Sequence, residues 1–187
     1  MGSRLRPPLR QRGVRRRRAR LPRRPLRRRP VLIAILGDTH LPRGGRALPE
    51  GCVQLLQQAS VIVHTGDLTA PAVLGELSAF GPVEAVRGNM DAPELRGLLP
   101  ERRTVEAEGL RVGLVHDAGP AAGRHERLAG WFPDCNLVAY GHSHLPEVAQ
   151  HGAVWIVNPG SPTERRRAPG HTMAVVLDGE PRLVDLD

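Results

Sequence analysis

The stretch VLIAILGDTH, residues 31–40, decides how this chain is read. Six apolar residues, half of them β-branched, run without interruption from Val31 to Leu36 and stop at Gly37, Asp38, Thr39 and His40. An uninterrupted apolar run of this length predicts a strand buried on both faces, as in a parallel sheet covered by helices. It is too short to cross a bilayer, which takes roughly 18–20 residues. It also falls below the ~7–15 apolar residues of a secretory core. The polar residues begin where the strand must end.

Outward from this stretch the same alternation repeats. Residues 49–59, with Val53, Leu55, Leu56 and Ala59, predict a helix, and 61–64 (VIVH) a second strand. A helix is expected over 71–80, with Pro71 in its first turn, and a third strand from Val83 to Val86. Short strands alternating with helices imply βαβ units. The second half is richer in strand. Residues 103–107 and 110–115 flank the hairpin signal Glu108-Gly109, and a short helix is expected at 122–130. Further strands are expected at 137–140, 153–157, 172–177 and near 182–186, the last two joined at Asp178-Gly179. The expected fold class is α/β, a four-layer α/β/β/α sandwich of two mixed sheets flanked by helices.

The formal net charge of +8 is unevenly spread. Residues 1–30 hold 14 of the 27 basic residues and no Asp or Glu, so residues 31–187 carry 13 basic against 19 acidic residues, a net −6. An Arg/Pro-rich stretch without apolar period predicts a disordered tail, because like charges repel and proline blocks ladders. The other reading is a stretch upstream of a start codon assigned too early. Residues 31–187 are expected to form one domain. The tail offers phosphate attraction to nucleic acid, which the acidic domain does not favour. Every basic residue is Arg and none is Lys, a bias that fits a GC-rich genome. Cys52 and Cys135 are too far apart for a zinc ribbon or a disulfide framework, which suits a reducing cytoplasm. No membrane-spanning segment is expected, and no motif bears on oligomeric state.

Residues with ligand chemistry collect where the expected strands stop: Gly37-Asp38-Thr39-His40, Gly66-Asp67, Gly88-Asn89-Met90-Asp91, His116, and Gly141-His142-Ser143-His144. Ligands of open α/β sheets sit beyond the carboxyl ends of strands, so these five loops are expected to share one crevice. Asp38 and His40 are two apart, as are His142 and His144, which in extended chain puts each pair on one side. The preceding glycines permit close backbone approach. Each element alone is common; the ordered set of five is specific. Carboxylate, amide oxygen and imidazole without thiolate suit divalent Mn, Fe, Zn or Ni.

In order, Asp-x-His, Gly-Asp, Gly-Asn, His and Gly-His-x-His resemble the motifs of the calcineurin-like metallophosphoesterases, over residues 31–187. Gly88-Asn89-Met90-Asp91 and Asn158-Pro159-Gly160-Ser161 look like the small YfcE-like phosphodiesterase branch, which is related to a retromer scaffold subunit. The resemblance implies a phosphoric ester hydrolase with two divalent metal ions, Mn²⁺ first among them. Asp38, His40, Asp67 and His144 would surround one ion. Asp67, Asn89, His116 and His142 would surround the other, with Asp67 shared. Two such ions about 3.5–4 Å apart activate a bridging hydroxide for in-line attack on phosphorus, with Asp67, Asn89 and His142 as catalytic residues and no covalent intermediate.

Two positions depart from the family. Larger members carry a proton-donating His after the motif's Asn, where this chain has Met90, which cannot donate. The expected substrate is therefore a small-molecule phosphodiester rather than an alkyl monoester. Asp117 stands where Gly usually follows the motif's His, and adds charge beside His116. Asp91 either steadies a ligand from behind or caps the following helix. His64 is expected to pack or support the site; His125, His151 and His171 lie outside the motifs. Asn158 to Ser161 are expected to form a turn against the ligand loops, and Arg165 to Arg167 an exposed loop, the other reading being contact with a substrate phosphate. The segments Leu41–Leu48 and Glu94–Arg103 are left to set specificity. Aromatic residues make up 3% of the chain, which weighs against recognition by base stacking. The competing readings are a non-catalytic scaffold on the same fold and a nuclease assisted by the basic tail.

Overall fold

Strand β1 (Leu32–Leu36) is buried at every position because both of its faces are covered. Leu32, Ala34 and Leu36 join a core with Cys52, Leu56 and Leu77 on the helix side. Ile33 and Ile35 point the other way, into a core shared with Val112, Leu114, Leu137 and Val157. The period of two thus survives inside a wholly apolar run, dividing it between two cores. The computed structural model describes residues 32–187, and the tail expected at 1–30 lies outside the described residues.

In the first sheet β1 pairs parallel with β2 (Val61–His64), and β2 pairs parallel with β3 (Val83–Ala85). On its other side β1 pairs antiparallel with β9 (Thr172–Leu177), which pairs with β10 (Glu180–Asp185), giving the order β10-β9-β1-β2-β3. The second sheet holds β4 (Arg102–Ala107), β5 (Leu110–Val115), β6 (Leu137–Tyr140), β7 (Glu147–His151) and β8 (Val154–Asn158), in the order β4-β5-β6-β8-β7. Helices α1 (Glu50–Leu56), α2 (Pro71–Ser78) and α3 (Pro93–Leu98) cover the first sheet, burying Cys52, Leu56, Val73, Leu77 and Leu95. Helix α4 (Arg124–Trp131) covers the second, where Leu128 and Phe132 meet Val115, Val138 and Ile156. The two mixed sheets face each other between helical layers, the expected α/β/β/α sandwich.

Both expected hairpins form, each with two left-handed residues at its tip, Glu108-Gly109 between β4 and β5 and Asp178-Gly179 between β9 and β10. Strand β7 was not expected. Glu147, Gln150 and His151 are poor strand formers, and β7 exists because it is the edge partner of β8. Helix α1 ends at Leu56 rather than at residue 59. Among the described residues no helix is long and apolar enough to cross a membrane.

Candidate metal centre

At the carboxyl ends of β1, β2 and β6 the chain leaves extended geometry abruptly. Asp38, His40, Asp67, His142 and His144 have φ of 52°, 47°, 59°, 70° and 58°. Left-handed backbone at a non-glycine residue costs of order 1 kcal/mol or more. Five such residues in one region indicate a constraint imposed by function. They also correct the expectation that His142 and His144 share one side of an extended chain, while Asp38 and His40 do reach one group. His142 and His144 turn toward different partners, and the contacts between loops decide where each points. Those contacts include backbone bonds at 3.0 Å from Asp38 N–H to the Gly66 carbonyl, from His40 N–H to that of Asp67, and from Gly141 N–H to that of His116.

The seven residues gather into two adjoining groups. In the first, His40 Nε2 and His144 Nε2 are 3.2 Å apart, with Asp38 Oδ1 3.4 Å from His144 Nε2 and 3.9 Å from His40 Nε2. In the second, Asn89 Oδ1 lies 3.0 Å from both His116 Nε2 and His142 Nδ1. Asp67 belongs to both: its Oδ2 is 3.7 Å from His40 Nε2 and 3.5 Å from His116 Nε2, while Oδ1 accepts the Met90 N–H at 2.7 Å. Asp38, His40, Asp67, His116 and His144 are buried, whereas Asn89 and His142 are exposed and form the mouth.

This donor set fits a cation. His116 Nδ1–H donates to the Thr65 carbonyl at 2.9 Å, and His144 Nδ1–H donates to that of Glu164. In the neutral rings both Nε2 atoms are therefore bare lone pairs. One faces the amide oxygen of Asn89, the other Asp38 Oδ1, a buried oxygen with no hydrogen-bond partner. Acceptors brought this close repel unless positive charge lies among them. Burial pushes the Asp38 carboxyl up, but a hydrogen bond from His144 and the charge of His116, His144 and His40, present when these rings are protonated, outweigh it and leave it below the usual range. Burial holds His40 below its ordinary value despite Asp67, Asp38 and Glu164, which favours the neutral, ligating ring.

Several other residues hold these groups in place. Fully buried His64 accepts the Gly66 N–H at Nδ1 (3.1 Å), so its Nε2–H donates to Thr39 Oγ at 3.2 Å, and burial pushes its pKa down to about 4. Asp91 does not cap α3, whose N-cap is Ala92; its carboxylate accepts the Thr69 and Gly88 N–H groups, both at 2.7 Å, tying two ligand loops together. Asn158 donates to the Gly141 carbonyl and to Ser143 Oγ, and Ser161 Oγ donates to the Asp38 carbonyl at 2.7 Å, the turn expected there. His125 pairs with Glu147 and His171 with Asp187, while Arg165 to Arg167 are exposed. The residue missed by sequence reasoning is Glu164, whose Oε2 lies 3.7 Å from His40 Nε2. It lies three residues beyond the Asn158-Pro159-Gly160-Ser161 turn and directly before three arginines, and no ligand motif marks it.

Beside the second group opens a cavity of about 260 Å³ lined by Arg87, Asn89, Arg96, Glu101, His116 and Asp117, among others. Arg96 reaches the Asp91 and Asn89 carbonyls, Arg87 pairs with Glu101 at 3.0 Å, and Asp117 accepts the Gly119 N–H. Asp117 is thus an exposed wall of the cavity.

Comparisons with known proteins identify the family and the fold. Residues 31–178 match the family model of the calcineurin-like phosphoesterase superfamily domain. The chain is 35% identical over 153 residues to a probable metallophosphoesterase of Methanothermobacter thermautotrophicus, covering 80% of this chain and 88% of that one. Among solved structures, Vps29 of Entamoeba histolytica in complex with zinc superposes with a TM-score of 0.65 at 23% identity, covering 84% of this chain and 100% of that one. A structure described as a novel archaeal phosphodiesterase superposes with a TM-score of 0.66 at 20% identity, covering 83% and 100%. Both structural likenesses show the shared fold.

Proposed function

The chain belongs to the calcineurin-like phosphoesterase superfamily and is a metal-dependent phosphoesterase; from that premise we propose that it is a binuclear phosphodiesterase acting on small-molecule diesters, with Mn²⁺ as its metal. The observation that carries this reading is Asp67 Oδ2, placed between the lone-pair group of His40 and His144 and that of Asn89, His116 and His142. Asp38, His40, Asp67 and His144 would hold the first ion; Asp67, Asn89, His116 and His142 would hold the second. Two divalent cations, when bound, lower the pKa of a water and neutralise charge on phosphoryl oxygens.

The chain's own residues do the rest. Asn89 and His142, at the exposed mouth, meet the substrate's phosphoryl group and orient it. Met90 is 44% exposed beside them, and its thioether has no proton to give a leaving group. Leaving groups that depart unaided are therefore favoured, as in diesters and activated esters. The cavity lined by Arg87 and Arg96 accommodates the diester's second substituent. The likeness to an archaeal phosphodiesterase supports the substrate class. Cys52 and Cys135, both free and buried, support a cytoplasmic location.

A Mn²⁺-dependent assay on a panel of diesters and alkyl monoesters tests the proposal. Wild type should prefer diesters. Asp67→Asn and His116→Ala should each lose about a hundredfold or more in kcat/KM, beyond the upper end of what an indirect metal partner costs. Preferred turnover of alkyl monoesters would sink the diester reading. Metal binding without hydrolysis of any diester would turn it toward a scaffold.

A further inference from the structure

We propose that Glu164 is a carboxylate ligand of the first metal position, held in place by Arg46. The inference rests on the metal-centre reading above and extends it to a residue outside the five motifs. Three carboxylate oxygens surround His40 Nε2 at nearly equal distance: Asp67 Oδ2 at 3.7 Å, Asp38 Oδ1 at 3.9 Å and Glu164 Oε2 at 3.7 Å. Measured from His40 Nε2, the Glu164 oxygen stands as near as those of the two aspartates.

A surface ion pair with Arg46 accounts for only one of the two carboxylate oxygens. Guanidinium–carboxylate pairs are frequently bidentate, with both oxygens on the fork. Here Oε1 alone receives Arg46, from Nη2 at 3.4 Å, while Oε2 is buried, turned inward and without a hydrogen-bond partner. A buried anionic oxygen with no donor is costly unless a cation meets it. The backbone agrees with the side chain. The Glu164 carbonyl accepts His144 Nδ1–H and so turns the Nε2 lone pair of His144 toward the same group. Glu164 N–H is itself held by Ser161 Oγ at 2.9 Å, and Ser161 is tied to the Asp38 carbonyl.

The consequence is an asymmetric centre. The first position draws on three carboxylates, Asp38, Asp67 and Glu164; the second has only the shared Asp67 with an amide and two imidazoles. More anionic oxygen favours hard divalent cations, so the first position fills first and more tightly with Mn²⁺.

Calorimetric titration of Mn²⁺ into the metal-stripped full-length protein tests this. Wild type should show a tight and a weak class of site. Glu164→Gln should weaken the tight class by roughly tenfold or more, leave the weak class in place, and melt like wild type in the metal-free form. Arg46→Ala should weaken the same class by a smaller factor. An unchanged tight class in Glu164→Gln, or equal weakening of both classes, would overturn the proposal. Should Glu164→Gln not fold, Glu164→Asp takes its place. That variant keeps the charge and loses the reach, so weakening confined to the tight class supports the proposal and an unchanged tight class overturns it. A wild type that binds no Mn²⁺ would instead refute the metal centre itself.

Discussion

His64 carries no ligand role, yet its burial has a measurable consequence. Its folded pKa of about 4 lies below the ordinary 6.5, with burial the largest cause, so the folded protein keeps it neutral while the unfolded chain protonates. Its contribution to stability is complete above about pH 6.5 and is lost as the pH falls toward 4, a loss of order 3 kcal/mol. Urea denaturation of the metal-stripped protein between pH 7.5 and 4.5 should show that loss. His64→Asn, which keeps an acceptor for Gly66 N–H, should lose clearly less; an equal loss would discount His64. At this scale the motif residues were legible because each follows a glycine or a strand end. The role of Asp91 was legible only in part: its reach to Thr69, 22 residues away, is a tertiary contact. Glu164 was not legible at all, since its partners His40 and Arg46 lie more than a hundred residues upstream.

Between elements, the loops after β2 and β3 touch so closely that glycine is required. A Cβ added at Gly88 would lie 2.0 Å from Asp67 Oδ1 and 2.3 Å from the Asp67 backbone nitrogen. Gly66, at φ 101°, faces the Gly88 nitrogen and His116 Nδ1 at 2.8 and 2.9 Å in the same sense. Gly88→Ala is therefore expected to displace Asp67. Stability should fall by about 1–3 kcal/mol, as overpacking does, and Mn²⁺ affinity by much more than Glu164→Gln loses. Normal Mn²⁺ binding by a folded Gly88→Ala protein would contradict the close approach. The apolar strands and Gly-tipped hairpins were read correctly from the chain because period, β-branching and turn residues are local properties. Strand β7 escaped because its ordering comes from a neighbour, Glu147 pairing with Asn158 through His151 with Val154.

On the scale of the molecule, the centre joins the two sheets. Asp38, His40, Asp67 and Asn89 follow strands of the first sheet; His116, His142 and His144 follow strands of the second. Metal should therefore stabilise the sandwich as a whole. At a hundredfold excess over Kd the gain is about 2.7 kcal/mol. At about 2–4 °C per kcal/mol for a domain of this size, Tm should drop by about 5–10 °C on chelation. Scanning fluorimetry with and without chelator checks this, and Asp67→Asn should abolish most of the difference; an unchanged wild-type Tm would mean the centre does not couple the sheets. The sequence by itself determined the strand-and-helix grammar, the ligand chemistry at five strand ends and the family, since all of these lie in short runs of residues. Only the tertiary structure decided the distances within each group and the approach of a residue outside the motifs. The turn of Glu164 toward His40 depends on left-handed loops and on contacts such as His40 to His144, 104 residues apart. No local pattern encodes distances of that length along the chain; packing two sheets face to face, with their ligand loops at one end, does.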